Sequence, residues 1–123
     1  MNSDFKDLLH LFAKHEVRYL VVGGYAAMHY SQPRFTKDLD LWLEPTPANA
    51  QHVMRAPVLL DFLTSLPEMR FPDCWGARLV DESEGLPIHY LSKAALMKAK
   101  KLAGRPQDIA DLDDIRRTDE QTG

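Results

Sequence analysis

The hydrophobic and polar positions of this chain alternate between helical and strand spacing. Phe5, Leu8, Leu9 and Phe12 recur at helical intervals behind Ser3, a good N-cap, and predict a helix over residues 4–16. The run 18–22 is short, β-branched and aromatic, and predicts a buried strand. Gly23 and Gly24 end it, and residues 25–31 predict a short helix that stops ahead of Pro33. A second strand is expected over 38–43. Side chains two apart on a strand share a face, so Asp38 and Asp40 stand together while Leu39, Leu41 and Leu43 form the opposite, apolar face. Pro45 and Pro47 break this strand. Thr46 is placed to cap a short helix with Pro47 at its first position.

Beyond Pro57, residues 58–64 are rich in Val, Leu and Phe and predict a third strand, interrupted by Asp61. Pro67 and Pro72 bracket a loop, and 73–77 suits a helical turn. Residues 78–81 and 86–91 read as a hairpin around Glu84-Gly85. Ser92 caps a helix over 93–103, closed by Gly104 at C′, and Pro106 opens another running to about residue 117. Residues 118–123 read as a frayed end. The pattern predicts an α/β (α+β) fold, a small mixed sheet flanked by helices. No repeat or linker divides the chain, so residues 1–123 read as a single domain.

Composition narrows the chemistry. A formal net charge of −3 argues against a broad nucleic-acid-binding surface and leaves room for a local basic patch. Cys74 is the single cysteine, which removes internal disulfides and thiolate zinc clusters. No apolar run approaches membrane-spanning length, and the first residues lack signal-peptide character, so a cytoplasmic setting away from membranes is expected. The five histidines have no zinc-like arrangement, and the serines lack a nucleophile-elbow context.

The carboxylates carry the candidate chemistry. With twelve aspartates, about one Asp-x-Asp pair is expected by chance, and a second one occurs at Asp111-Leu112-Asp113. That second pair sits in a helical pattern, where residues two apart diverge, and reads as a solvated helix face. Asp38 and Asp40 differ in sharing a strand face. Asp61 lies in an otherwise buried strand, where a carboxylate must be paired, protonated or bound to a metal. Three such acids held close would repel one another unless a cation keeps them ionised, which points to Mg²⁺ or Mn²⁺. The plainer alternative makes Asp38 a turn residue, pairs Asp40 with Arg34 or Lys37, and leaves Asp61 at a sheet edge.

Gly23 and Gly24, between strand and helix, could turn backbone N–H groups toward a triphosphate, or form a bare turn. Arg34 and Lys37 lie on the approach to the acidic strand. Lys93, Lys98, Lys100, Lys101 and Arg105 make 93–105 basic, which reads either as a solvated helix face or as the source of one phosphate-reaching lysine. The acids that follow, Asp108, Asp111, Asp113 and Asp114, offer these cations a neighbouring helix to attract.

Taken in order, Gly23-Gly24, Arg34-x-Thr36-x-Asp38-x-Asp40 and then Asp61 resemble the DNA polymerase β-like nucleotidyltransferase superfamily, and in particular its small members related to AbiE-type toxins. The tail from Lys100 through Arg105 to Asp108 and Asp111 resembles their C-terminal motif of Lys, Arg and two Asp. The resemblance implies a nucleotidyltransferase-like fold with Asp38, Asp40 and Asp61 as catalytic, metal-holding acids. It also implies nucleotide-binding roles for Gly23, Gly24, Arg34, Thr36, Lys100 and Arg105. The implied reaction moves a nucleotide from an NTP to a hydroxyl of a protein, RNA or small-molecule acceptor, with a toxin–antitoxin context and a cognate toxin or antitoxin as partner. Two features depart from the pattern. Tyr25 follows the glycines where relatives carry a small residue, and only residues 44–56 join the second and third strands, where relatives have a longer insert. The alternative is therefore a catalytically impaired nucleotide-binding or protein-interaction module of the same fold.

Overall fold

A computed structural model describes residues 3–33, 39–55 and 66–122. It begins with α1 (Ser3–Lys14), whose Leu8, Leu9 and Phe12 are buried along one stripe. The helix closes in a Schellman turn. Glu16 takes the left-handed conformation (φ 56°), and the N–H groups of Val17 and Glu16 donate to the carbonyls of Phe12 (2.9 Å) and Ala13 (3.3 Å). Val17 and Phe12, at the two ends of that turn, are both buried.

The turn delivers the chain into β1 (Tyr19–Val22), in which every residue is buried. Burial on both faces follows from its central position. The sheet order is β2-β1-β4-β3, with β2 (Asp40–Leu43) antiparallel to β1 and β4 (Ile88–Tyr90) parallel to it. β3 (Leu79–Asp81) forms the antiparallel hairpin with β4 and the far edge. The described residues thus form an α+β arrangement of six helices on a four-stranded mixed sheet. The expected strand over 58–64 lies outside the described residues.

α2 (Gly23–His29) begins at the first glycine, two residues earlier than its apolar pattern predicts. Its C-terminal Tyr30 hydroxyl donates to the Leu91 carbonyl at 2.8 Å, tying it to the end of β4. α3 (Pro47–Arg55) occupies the short connection after β2 and is capped as predicted, the Asn49 N–H donating to Thr46 Oγ1 at 3.2 Å. Asn49 is also the clip that joins α3 to β1. It is buried, accepts from the Arg18 N–H at 2.8 Å, and donates to the carbonyls of Arg18 and Glu44 at 3.0 Å. α4 (Phe71–Gly76) sets the Phe71 ring edge-on to Trp42.

α5 (Lys93–Ala103) is capped by Ser92, which accepts from the Ala95 N–H, and stopped by Gly104 at φ 62°. α6 (Pro106–Thr122) continues past the end predicted near residue 117, and Lys93 on α5 ion-pairs with Asp119 on that last stretch. Among the described residues no helix is long and apolar enough to cross a membrane.

Candidate functional site

Antiparallel register places Asp40, the first residue of β2, opposite Val22, the last residue of β1. The next residue is Gly23, at φ 67°. A Cβ at Gly23 would overlap Asp40 Oδ2 and lie 3.1 Å from Asp40 Cγ. Glycine is therefore required twice over, for the left-handed backbone and for the room the carboxylate takes. The glycine turn and the acidic strand, expected near each other from the sequence, meet at this point.

Only the Asp40 end of the strand's acidic side is open. Asp40 is exposed, whereas Leu41, Trp42 and Leu43 are all buried. Trp42 shares its side of the strand with Asp40 and is covered by Phe71. The apolar face is as expected at Leu41 and Leu43, while the Asp40 face also carries the buried Trp42.

A cleft of about 140 Å³ opens at this end of the sheet, with Gly23 and Asp40 on one side and Lys100, Arg105 and Asp108 on the other. The second wall is an ion network between α5 and α6. Lys100 Nζ lies 2.7 Å from Asp111 Oδ2 and 3.4 Å from Asp108 Oδ1, and all three residues are buried. Arg105 docks on Asp108 through two N–H groups, Nε to Oδ2 at 2.7 Å and Nη2 to Oδ1 at 3.3 Å. Asp108 also accepts the Arg105 backbone N–H at 3.2 Å, so it caps α6 while it holds the guanidinium. Gln107 donates to the remaining Asp111 oxygen at 3.0 Å. Two cations thus face two carboxylates, which is what allows Lys100, Asp108 and Asp111 to be buried.

The electrostatics follow the geometry. Burial pushes the Asp108 carboxyl up, but the Arg105 hydrogen bonds and the Lys100 charge outweigh it and leave its pKa below the ordinary carboxylate value. Arg105 is held more firmly protonated, chiefly by its hydrogen bond and charge contact with Asp108, with a further contribution from Asp40 across the cleft.

These positions revise the sequence reading of 93–114. Asp111 is fully buried and ion-paired, not part of a solvated face, and Lys100 is buried rather than reaching outward. Asp113 is exposed, as the divergence of residues two apart requires. A signal for this was present. Asp108, Asp111, Leu112 and Ile115 are spaced i, i+3, i+4, i+7, so the two acids sit on the buried stripe of α6.

Of the other candidate residues, Gly24 is the second residue of α2. Asp38, Asp61, Arg34, Thr36 and Lys37 lie outside the described residues. Among the described residues no three His, Cys, Asp or Glu side chains converge as a metal cage, and Asp40 is the one proposed ligand described there. Neither the protein-family models nor the curated proteins searched contain a match to this chain.

Proposed function

We propose that the chain is a metal-dependent nucleotidyltransferase that moves a nucleotide from an NTP onto a hydroxyl of a protein, RNA or small-molecule acceptor. The observation that carries this reading is the Asp40 carboxylate resting on the Gly23 backbone, with the Arg105 guanidinium across the same cleft. An exposed hard oxygen donor facing a fixed cation suits a metal-complexed phosphate chain.

Asp40 is a hard oxygen donor of the kind that suits Mg²⁺ or Mn²⁺. Asp40 would hold the ion, with Asp38 and Asp61 as its expected co-ligands, and the Gly23 cradle keeps the Asp40 carboxylate in place. Such an ion supplies positive charge to the attacking and leaving oxygens of a phosphoryl displacement. The remaining work belongs to the chain. Arg105 spends one edge on Asp108 and keeps its other N–H groups for phosphate oxygens, its side chain being 77% exposed. Lys100 has three N–H groups and gives two of them to Asp108 and Asp111, which leaves one for the cleft. The acceptor hydroxyl would give its proton to a carboxylate, the role expected of Asp61, as its oxygen attacks the α-phosphorus in line; the P–O bond to the β-phosphate breaks, and pyrophosphate leaves.

The test is incubation with each labelled NTP, Mg²⁺ or Mn²⁺, and a lysate as the source of acceptors, beside Asp38→Ala/Asp40→Ala. Label transfer by the parent and its loss in the double variant is the expected result. Nucleotide binding without transfer from any of the four NTPs would favour the impaired module, and neither binding nor transfer would defeat the proposal. A toxin–antitoxin setting is compatible with either reading and rests on the resemblance alone.

A further inference from the structure

Among the described residues the sheet ends at β3, and the outward rim of β3 is complementary to itself. The Leu91 N–H donates to the Val21 carbonyl at 3.1 Å, so Leu91 and His89 direct their backbone groups toward β1. Alternation then turns Ile88 and Tyr90 toward β3, where their partners are Asp81 and Leu79. Val80, opposite His89, must direct both its N–H and its C=O away from the sheet. On either side of it the Arg78 N–H is used by the Trp75 carbonyl (3.3 Å) and the Glu82 carbonyl by the Gly85 N–H (3.2 Å). What is left along the rim is the Arg78 C=O, both groups of Val80 and the Glu82 N–H.

A strand of the same sequence, antiparallel and related by a two-fold axis at Val80, satisfies each of these groups. The two Val80 residues exchange N–H···O=C bonds, and each Arg78 carbonyl accepts from Glu82 N–H of the second copy. Side chains agree with this register. Residues 78, 80 and 82 share a face, so Val80 packs on its twin and Arg78 stands opposite Glu82 of the other copy. Glu82 is exposed. Arg78 donates to His89 Nδ1 (3.0 Å) and the Trp75 carbonyl (2.8 Å) through Nε and Nη1, neither partner acidic, which leaves Nη2 for a carboxylate. Leu79 and Val80, 40% and 44% exposed, are among the few large apolar side chains on the surface, and this pairing covers them.

We propose that the chain self-associates through β3, two copies pairing antiparallel about Val80 so that their four-stranded sheets join. The joint lies at the opposite edge of the sheet from β2 and Asp40, so it leaves the cleft open and does not depend on the functional reading. A contact built on a three-residue strand falls below the ~1,200 Å² of a standard stable interface, so the dimer is weak and depends on concentration.

Sedimentation velocity from about 5 to about 500 µM should show the weight-average mass of the parent rising toward the dimer. Val80→Pro removes an N–H that the β3–β4 ladder does not use, so its circular dichroism should match the parent while it stays monomeric. Glu82→Lys, a change on an exposed side chain, sets Lys against Arg78 of the other copy and should weaken association about tenfold or more, with partial recovery in high salt. It carries the test should the proline variant not fold. Twin residues in a hydrogen-bonded antiparallel pair have Cα atoms about 5.5 Å apart, within disulfide reach. Since Cys74 is buried, oxidised Val80→Cys should form a covalent dimer that Ser83→Cys does not. A parent monomeric at the highest concentration, or a dimer indifferent to both Val80→Pro and Glu82→Lys, overturns the proposal.

Discussion

Asp40 and Asp111 belong to the same three-residue pattern, Asp-x-Asp, and have opposite fates. Asp40 opens a strand, is exposed, and rests against a glycine at the mouth of a cleft. Asp111 lies in a helix, is 1% exposed, and is locked to Lys100 with Gln107 on its second oxygen. One carboxylate is exposed at a cleft, and the other holds two helices together. The pattern does not decide between these roles. What surrounds it does: strand or helix, glycine or lysine, open end or buried stripe.

Substitutions at the two sites should therefore separate stability from chemistry. The largest effect is expected for Asp111→Ala, which leaves Lys100 buried with one weaker partner. A loss of about 3–5 kcal/mol in urea unfolding is anticipated, against less than about 0.5 kcal/mol for Asp113→Ala. Equal costs at 111 and 113 would break the contrast.

Next comes Gly23→Ala, which places a β-carbon on the Asp40 carboxylate and a non-glycine residue at positive φ. It should cost about 1–3 kcal/mol. Part of that cost is the overlap, so it should shrink in an Asp40→Ala background. A double-mutant cycle measures the difference, and strict additivity would mean that the two residues do not meet.

A smaller effect concerns acid. The pKa of Asp108 is depressed in the folded state, so its contribution is fully present above the unfolded value of about 4 and drains away as pH falls through the lower folded value. The urea midpoint of the parent should fall between about pH 5 and pH 3, and Asp108→Asn should flatten that slope. The smallest effect on stability belongs to Asp40→Ala, within about 0.5 kcal/mol, although it is predicted to abolish nucleotide transfer. A variant that is both stable and inactive would complete the contrast with Asp111.

Much of the fold was legible because local chemistry dictated it. Thr46 and Ser92 cap their helices as their hydroxyls allow, Gly104 takes the left-handed turn, and the hairpin falls around Glu84-Gly85. The pairing of Gly23 with the acidic strand was anticipated as a neighbourhood, and the β1–β2 register supplied the contact. Less legible was the wall opposite. The attraction between the basic and the acidic helix was legible, but Asp111 read as part of a solvated face, because a charged residue reads as solvated until its counter-ion, here Lys100 on the other helix, is placed beside it. The cover over Trp42, which shares the strand face of Asp40, was not legible either, since Phe71 comes from α4 far along the chain.

The sequence by itself determined where the helices and strands of the described residues lie, where glycine is required, and which residue types could meet a phosphate or a divalent cation. These depend on contacts within a few residues. The tertiary structure decided which acid stays exposed and which is buried in an ion pair, and which strand edge remains unpaired among the described residues. Burial and ion pairing are set by neighbours distant in the chain, so an aspartate carries its charge in its own sequence and takes its role from the fold.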